Sequence, residues 1–71
     1  MDETALIQEA QNGDVDAFNR LVLAYQDLVY NQAYRMIGET AVAADTTQDA
    51  FISAFHHLSS FRGGSFRAWL L

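Results

Sequence analysis

A chain of 71 residues holds at most one domain, and because 51% of those residues are apolar it can bury a core of its own. The absence of cysteine excludes a disulfide framework and a thiolate metal site, and no apolar run approaches the roughly 20 residues that a membrane span needs. The net charge of −5 argues against a protein that coats duplex DNA by electrostatics alone, and the acidic start argues against a signal peptide, so we expect a cytoplasmic protein without membrane association.

The charge is spread unevenly along the chain. Residues 1–60 hold all nine acidic residues and two of the four arginines, whereas residues 61–71 hold the other two arginines and no acid. This asymmetry indicates two surfaces with different partners, although four arginines are few enough for chance to separate them in this way.

Helical periodicity covers the first half of the chain. A first helix is predicted over residues 2–12, followed by a break in which Gly13 suits the position after a helix and Asp14 the N-cap of the next. The second helix, over residues 15–37, carries two apolar stripes, which favours a central place in a bundle over a stripe kept for a partner. The stripes are Phe18, Val22, Tyr25, Val29, Ala33 and Met36 on one side and Leu23, Tyr30 and Tyr34 on the other.

The second half of the chain predicts one long helix and one short helix. The long helix spans residues 40–59, and the pair Gly63-Gly64 breaks the chain after it. Ser65 then suits the N-cap of a fourth helix of under two turns that lacks a C-terminal signal. We therefore expect residues 1–71 to form one domain, an all-α compact bundle of three helices plus the start of a fourth, cut within that last helix. The core stripe predicted for the third helix is Ala44, Thr47, Phe51, Ala54, Phe55 and Leu58.

Residues for catalysis are missing from the pattern. His56 and His57 are adjacent, so they point about 100° apart on a helix, and no acid stands three or four residues from either. The chain has no HExxH motif and no glycine-rich phosphate loop that follows a strand. We expect no enzymatic activity and no metal or nucleotide cofactor.

One flank of the third helix has the composition of a docking face. Asp45 and Asp49 are like charges one turn apart, which costs a helix a few tenths of a kcal/mol, and Ile52 stands among them. An apolar contact ringed by acids selects a basic partner. A solvated helix face explains the same residues, and composition alone favours that simpler interpretation. The flank comprises Asp45, Gln48, Asp49, Ile52 and His56.

The last eleven residues alternate aromatic and basic side chains around the glycine pair. Aromatic faces stack on unpaired bases and guanidinium groups bind phosphates, which is how proteins hold single-stranded nucleic acid. Alternatively, the aromatic residues are core residues of two helix ends. Phe66 and Trp69 share one helix face, and we expect that face to pack at least in part, because so short a helix must pack to form.

Three stretches in order resemble region 2 of the sigma-70 family of bacterial RNA polymerase sigma factors, of the extracytoplasmic-function (ECF) type. They are "LIQEAQNGDVDAFNRLVLAYQDLVYNQAYRMIGE", "AADTTQDAFISAFHHLSSF" and "FRGGSFRAWLL". The specificity lies in the order of three weak motifs: the "GD" break, a D-x-x-Q-[ED]-x-F run, and "FRG" followed by F-x-x-W-L.

The resemblance implies a non-catalytic role in transcription initiation and two binding surfaces. The third helix would dock on core RNA polymerase, at the coiled coil of the β′ subunit, through Asp45, Gln48, Asp49 and the neighbouring Ile52. The loop at residues 59–65 would capture a flipped base of the minus-ten promoter element on the non-template strand, and the following helix would help to open the duplex. The residues implied in promoter DNA binding are Phe61, Arg62, Gly63, Gly64, Ser65, Arg67 and Trp69. An anti-sigma factor is a further expected partner.

The chain departs from the family pattern in two ways. Ala44 stands where the family often has an acid, so docking is expected to be weaker or to rely more on Asp45 and Asp49. A basic continuation of the last helix and a helix-turn-helix region that reads the minus-thirty-five element are both absent, so we expect no tight DNA binding by this chain alone.

Two other classes of function remain open at this point. A helical protein-interaction module that binds a regulator and has no nucleic-acid role is favoured by the negative charge. A small hydrolase or metal-binding bundle is disfavoured because no site is recognisable.

Overall fold

The computed structural model describes residues 2–71, which form four α-helices and one 3₁₀ turn and no strand. The predicted all-α fold of three helices is confirmed, and a short fourth helix follows them. Met1, at which the expected domain begins, lies outside the described residues. The helices are α1 (Glu3–Gln11), α2 (Val15–Ile37), α3 (Thr40–His57) and α4 (Phe66–Leu70), and the 3₁₀ turn is Leu58–Ser60.

Side chains cap the helices where the sequence predicts. The carboxylate of Asp14 accepts a hydrogen bond of 3.2 Å from the amide of Ala17, and the hydroxyl of Ser65 accepts one of 3.1 Å from Ala68. Gly38 ends α2 in the left-handed region, at φ +77°, where its amide donates to the carbonyl of Tyr34. These bonds satisfy backbone groups that a helix end otherwise leaves unpaired, and they fix the boundaries of the helices.

The core lies where α1, the first half of α2, the end of α3 and α4 meet. Phe66 and Leu21 are the most deeply buried large side chains, each 1% exposed. The half-buried Val22, Tyr25, Trp69 and Leu70 pack against this cluster. Its members are Leu6, Ile7, Ala10, Ala17, Phe18, Leu21, Ala54, Leu58, Phe61 and Phe66.

Helix α2 is central, as predicted, because both α1 and α3 pack against it. Its second stripe, however, is not buried: Leu23 is 67% exposed, and Met36 at the end of the first stripe is 80% exposed. The reason is that α1 and α4 both lie at the core end of α2. Toward the other end, within residues 2–71, only α3 packs against α2, and the buried residues there are Val29, Ala33 and Ala43.

The buried stripe of α3 is rotated from the predicted one. Ala43 is fully buried while the predicted Ala44 is exposed, and the predicted core residue Phe55 is 46% exposed. Phe51, Ala54 and Leu58 are buried as expected. Helix α3 packs against α2 and, near its end, against α4, and the apolar residues that flank its buried stripe face a groove toward α2. None of the helices in residues 2–71 is long and apolar enough to cross a membrane.

Candidate functional site

The loop between the 3₁₀ turn and α4 contains two successive left-handed residues. Gly63 and Gly64 have φ values of +102° and +83°. A Cβ atom on either glycine would meet no atom within 4 Å. Glycine is therefore favoured at these positions by the backbone conformation and not by a lack of space. The sequence feature that predicted a flexible break therefore corresponds to a defined backbone path.

The amide group of Gln11, the last residue of α1, holds the entry to this loop. Its Nε2 atom donates one hydrogen bond of 3.1 Å to the carbonyl of Leu58 and one of 3.0 Å to the carbonyl of Phe61. At the other end of the loop, the hydroxyl of Ser65 caps α4. Both ends of the loop are therefore fixed by side chains.

The aromatic residues of the segment form one cluster. Phe61 contacts Phe66 and Trp69 edge to face, with ring centroids 5.6 Å and 5.5 Å apart, and the Phe66 and Trp69 rings lie 5.7 Å apart. Phe66 is buried and Trp69 is half-buried, which agrees with their assignment to packing. Phe61 is only 8% exposed, so its ring belongs to the core, and its expected role in promoter DNA binding stays a prediction.

A cavity of about 430 Å³ lies between α1 and the loop. Its volume falls within the range of small-ligand sites, roughly 300–1,000 Å³. Arg62 and the two glycines form one wall, and residues of α1 form the other. The lining residues are Glu3, Thr4, Ile7, Gln8, Gln11, Phe61, Arg62, Gly63 and Gly64.

The contribution of α1 to this cavity was not predicted from the sequence. Thr4, Gln8 and Gln11 follow each other at intervals of four and three residues, so they form a polar stripe on one face of α1 beside the buried Ile7. That spacing was the available signal, but a polar stripe on a short helix is ordinarily a solvated face.

A hydrogen bond between Tyr25 and Glu3 fixes α1 on α2 beside the same cavity. The phenolic hydroxyl of Tyr25 donates to the carboxylate of Glu3. This hydrogen bond, burial and the negative charge of Glu3 raise the pKa of Tyr25, while the positive charge of Arg67 on α4 opposes that rise. Because its pKa is raised, Tyr25 keeps its proton further into the alkaline range than an ordinary tyrosine does.

The acidic flank of α3 is fully accessible. Asp45, Gln48 and Asp49 are exposed, and Ile52 is 49% exposed. Among residues 2–71 the one ion pair joins Arg20 to Asp16 on α2, so Asp45 and Asp49 have no cationic partner in that part of the chain. The predicted docking residues do lie together on one solvent-facing side of α3.

An apolar groove of about 700 Å³ between α2 and α3 adjoins this flank. Phe55, which was expected in the core, lines this groove. Its ring contacts that of Phe18 edge to face, with the ring centroids 5.0 Å apart. Gln48, Ile52 and His56 belong both to the flank and to the groove. The remaining lining residues are Val15, Asn19, Val22, Gln26, Ala44, Thr47 and Phe51.

Residues 2–71 contain no group of three or more His, Asp or Glu side chains arranged to hold a metal ion.

Comparison with protein families gives a match to the family described as Sigma-70 region 2, over residues 21–71. Similar curated proteins include the ECF RNA polymerase sigma factor BldN of Streptomyces coelicolor, 40% identical over 68 residues, which are 93% of this chain and 26% of that protein. The ECF RNA polymerase sigma factor SigW of Bacillus subtilis is 40% identical over 90% of this chain and 35% of its own length. The ECF RNA polymerase sigma-E factor of Escherichia coli is 42% identical over 96% of this chain and 36% of its own length. The chain thus spans 26% to 36% of the length of these relatives.

Among solved structures, an engineered region 2 of sigmaE in an NMR complex with GTAAAA has a similar fold. The TM-score is 0.92 at 35% sequence identity, and the match covers 99% of this chain and 74% of that one.

Proposed function

The chain belongs to the sigma-70 family, as a region 2 of the ECF type, and from that membership we propose that residues 1–71 act as one domain in transcription initiation. This domain docks on the β′ coiled coil of core RNA polymerase and recognises and melts the minus-ten promoter element. It acts by binding and not by catalysis, without a cofactor, in the cytoplasm.

The observation that carries the proposal is the loop at residues 61–65, fixed at both ends beside a cavity, in a chain whose fold matches a region 2 bound to GTAAAA. When a protein flips a base out of a duplex, its contacts must offset the few kcal/mol that unstacking costs. A loop that is already ordered helps to offset this free energy, because it loses little conformational entropy on binding.

Within the loop segment, the exposed residues contact the non-template strand and the buried ones give the surface its shape. Arg62 and Arg67 are exposed and contribute the positive charge for phosphate groups or for stacking on bases. Gly63, Gly64 and Ser65 let the backbone approach the strand. Phe61 acts through packing, and Trp69 offers only the part of its ring that the cluster leaves exposed.

On α3, Asp45, Gln48, Asp49 and Ile52 form the β′-binding surface. The two exposed carboxylates attract a basic partner, and Ile52 together with the adjoining groove receives apolar side chains from that partner. The groove enlarges the proposed docking surface beyond the residues expected from the sequence.

The test is a titration of the isotope-labelled chain with single-stranded GTAAAA, and in parallel with a degenerate pool of single-stranded hexamers, followed by amide NMR shifts. We expect shifts concentrated at residues 61–67 and at the α1 residues that line the cavity. Shifts confined to α3, or no shifts with either probe, contradict the promoter-strand function.

A second candidate is a protein-interaction module that binds a regulator, such as an anti-sigma factor, without any nucleic-acid role. The apolar groove between α2 and α3 favours it, since an exposed groove of this composition fits a partner helix. The same titration separates the two functions, because this alternative requires no binding of single-stranded DNA.

A further inference from the structure

The two hydrogen bonds from Gln11 join the end of α1 to the backbone that leads into the loop, across 47 and 50 residues of sequence. We infer that Gln11 is a positioning residue for promoter-strand binding: its amide group holds the loop in its binding-competent path without itself contacting the strand. The inference rests on the proposed function of the loop.

The geometry requires a side-chain nitrogen that donates two hydrogen bonds at this place. Both acceptors are carbonyl oxygens, so the side chain must present its NH₂ group, and the two N–H groups of that NH₂ match the two acceptors. Ile7 and Ala10 of the same helix are buried in the core, which holds the last turn of α1, and with it Gln11, against the loop.

The loop backbone has little else to hold it. Among residues 2–71, Arg62, Gly63 and Gly64 take part in no backbone–backbone hydrogen bond, and no side chain bonds to their backbone. Their path is set from the two ends, by Gln11 on one side and by the Ser65 cap on the other. On the entry side, Phe61 is also held by its buried ring and by a hydrogen bond of 3.1 Å from its amide to the carbonyl of Leu58. Loss of the Gln11 bonds therefore loosens that end without releasing it.

A loop that is held less firmly at one end must be ordered again when it binds. The entropy lost in that ordering weakens binding without removing any contact to the strand. Residues on α3 are not affected by this cost, so the affinity for the polymerase coiled coil is expected to stay the same. A lower affinity for the strand with an unchanged affinity for the coiled coil therefore distinguishes a positioning role from a general loss of stability.

The principal variant is Gln11→Met, which keeps the length and removes both donors. Gln8→Met is the matched control, because Gln8 lines the same cavity on the same helix but bonds to no loop atom. At a temperature where all chains are fully folded, we expect Gln11→Met to speed amide hydrogen exchange at residues 61–65. We expect it to weaken binding of single-stranded GTAAAA about five- to tenfold. Gln8→Met should leave loop exchange unchanged.

Rescue tests the donor directly. Gln11→Lys restores N–H donors on a side chain of similar reach, and Gln8→Lys adds the same charge at the same cavity without bonding to the loop. We expect Gln11→Lys to recover slow loop exchange and DNA affinity, beyond any gain that Gln8→Lys produces by charge alone.

The outcomes separate the inference from the function on which it rests. If the wild-type chain binds neither GTAAAA nor degenerate single strands, the proposed function fails. If the wild-type chain binds but Gln11→Met leaves DNA affinity and loop exchange as they were, or lowers DNA and coiled-coil affinity equally, the positioning role of Gln11 is wrong.

Discussion

Tyr25 on α2 donates a hydrogen bond to Glu3 on α1, across 22 residues of sequence, and this bond ties the first helix to the second beside the cavity. The bond requires a protonated phenol, which gives the stability of the domain a dependence on pH.

The first prediction concerns alkaline pH. Because the pKa of Tyr25 is raised above 10.0 in the folded chain, the stabilisation from this bond is fully present below pH 10.0 and is lost as the pH rises through the folded-state pKa. Urea unfolding of the wild type and of Tyr25→Phe from pH 7 to pH 11 measures the contribution of this bond to the free energy of unfolding. We expect Tyr25→Phe to cost about 0.5–1.5 kcal/mol at pH 7 and the difference to shrink at the alkaline end. A constant difference contradicts the assignment.

The second prediction concerns Phe61. Since its ring lies in the core, Phe61→Ala should lower the free energy of unfolding by about 3–5 kcal/mol, as truncation of a buried phenylalanine generally does. Phe55→Ala, at a ring that is 46% exposed, is the control and should cost clearly less. Circular dichroism during urea titration gives both values. Equal losses for the two variants indicate that Phe61 is not a core residue.

The third prediction concerns the acidic flank of α3. We expect Asp45→Arg combined with Asp49→Arg to abolish capture of the chain by a β′ coiled-coil fragment while the helical circular dichroism spectrum is kept, because both carboxylates are exposed. Asp27→Arg combined with Glu39→Arg makes the same change of charge at exposed positions elsewhere and should retain capture. Equal effects of the two pairs point to net charge, and unaffected capture by the first pair refutes the docking assignment.

The fourth prediction concerns Gly64. An alanine there meets no steric clash but must adopt a φ of +83°, which costs about 1–2 kcal/mol or forces the loop onto another path. Gly13→Ala is a matched control, because Gly13 also has a positive φ, +99°, and a Cβ atom there would likewise meet no atom within 4 Å, yet Gly13 lies outside the loop. Calorimetry should show similar stability losses, and binding of single-stranded DNA should fall only for Gly64→Ala. If binding falls equally for both, the loop path is not what the strand recognises.

The fifth prediction concerns Arg62 and salt. A phosphate contact on single-stranded DNA contributes about 0.7 to the slope of log K against log salt concentration. Arg62→Ala should reduce that slope by about this amount, whereas Arg35→Ala, an exposed arginine at the far end of α2, should not change it. Fluorescence anisotropy with labelled GTAAAA between low and moderate salt gives the slopes. An unchanged slope for Arg62→Ala removes this residue from the phosphate-contacting set.

The sequence was sufficient for the helices because their ends carry local signals. Asp14 and Ser65 cap the helices that they were expected to cap, and Gly13 breaks the chain where expected. The predicted burial of Ala44 and Phe55 on α3 was wrong, since the width of a buried stripe depends on which neighbours pack against the helix. Periodicity along one helix does not contain that information.

The candidate site was less predictable because it joins distant parts of the chain. The loop residues were found from their types, but whether Phe61 faces the strand or the core depends on Phe66 and Trp69, which turn back onto it only after the glycine pair. The role of Gln11 depends on two carbonyl groups some fifty residues away. Because every residue has a backbone carbonyl, the sequence does not show which of them accept a hydrogen bond.

The segment Arg62-Gly63-Gly64 is bounded by anchors on either side and contributes neither a core side chain nor a backbone hydrogen bond within residues 2–71. The side chain of Arg62 is therefore separable from folding, whereas Gly63 and Gly64 are needed for their positive φ values. Libraries randomised at Arg62 alone, with both glycines kept, change the surface offered to a nucleotide while leaving the scaffold intact. Selection from such a library for binding to different hexamers tests whether this position sets the sequence preference of the proposed strand-binding surface.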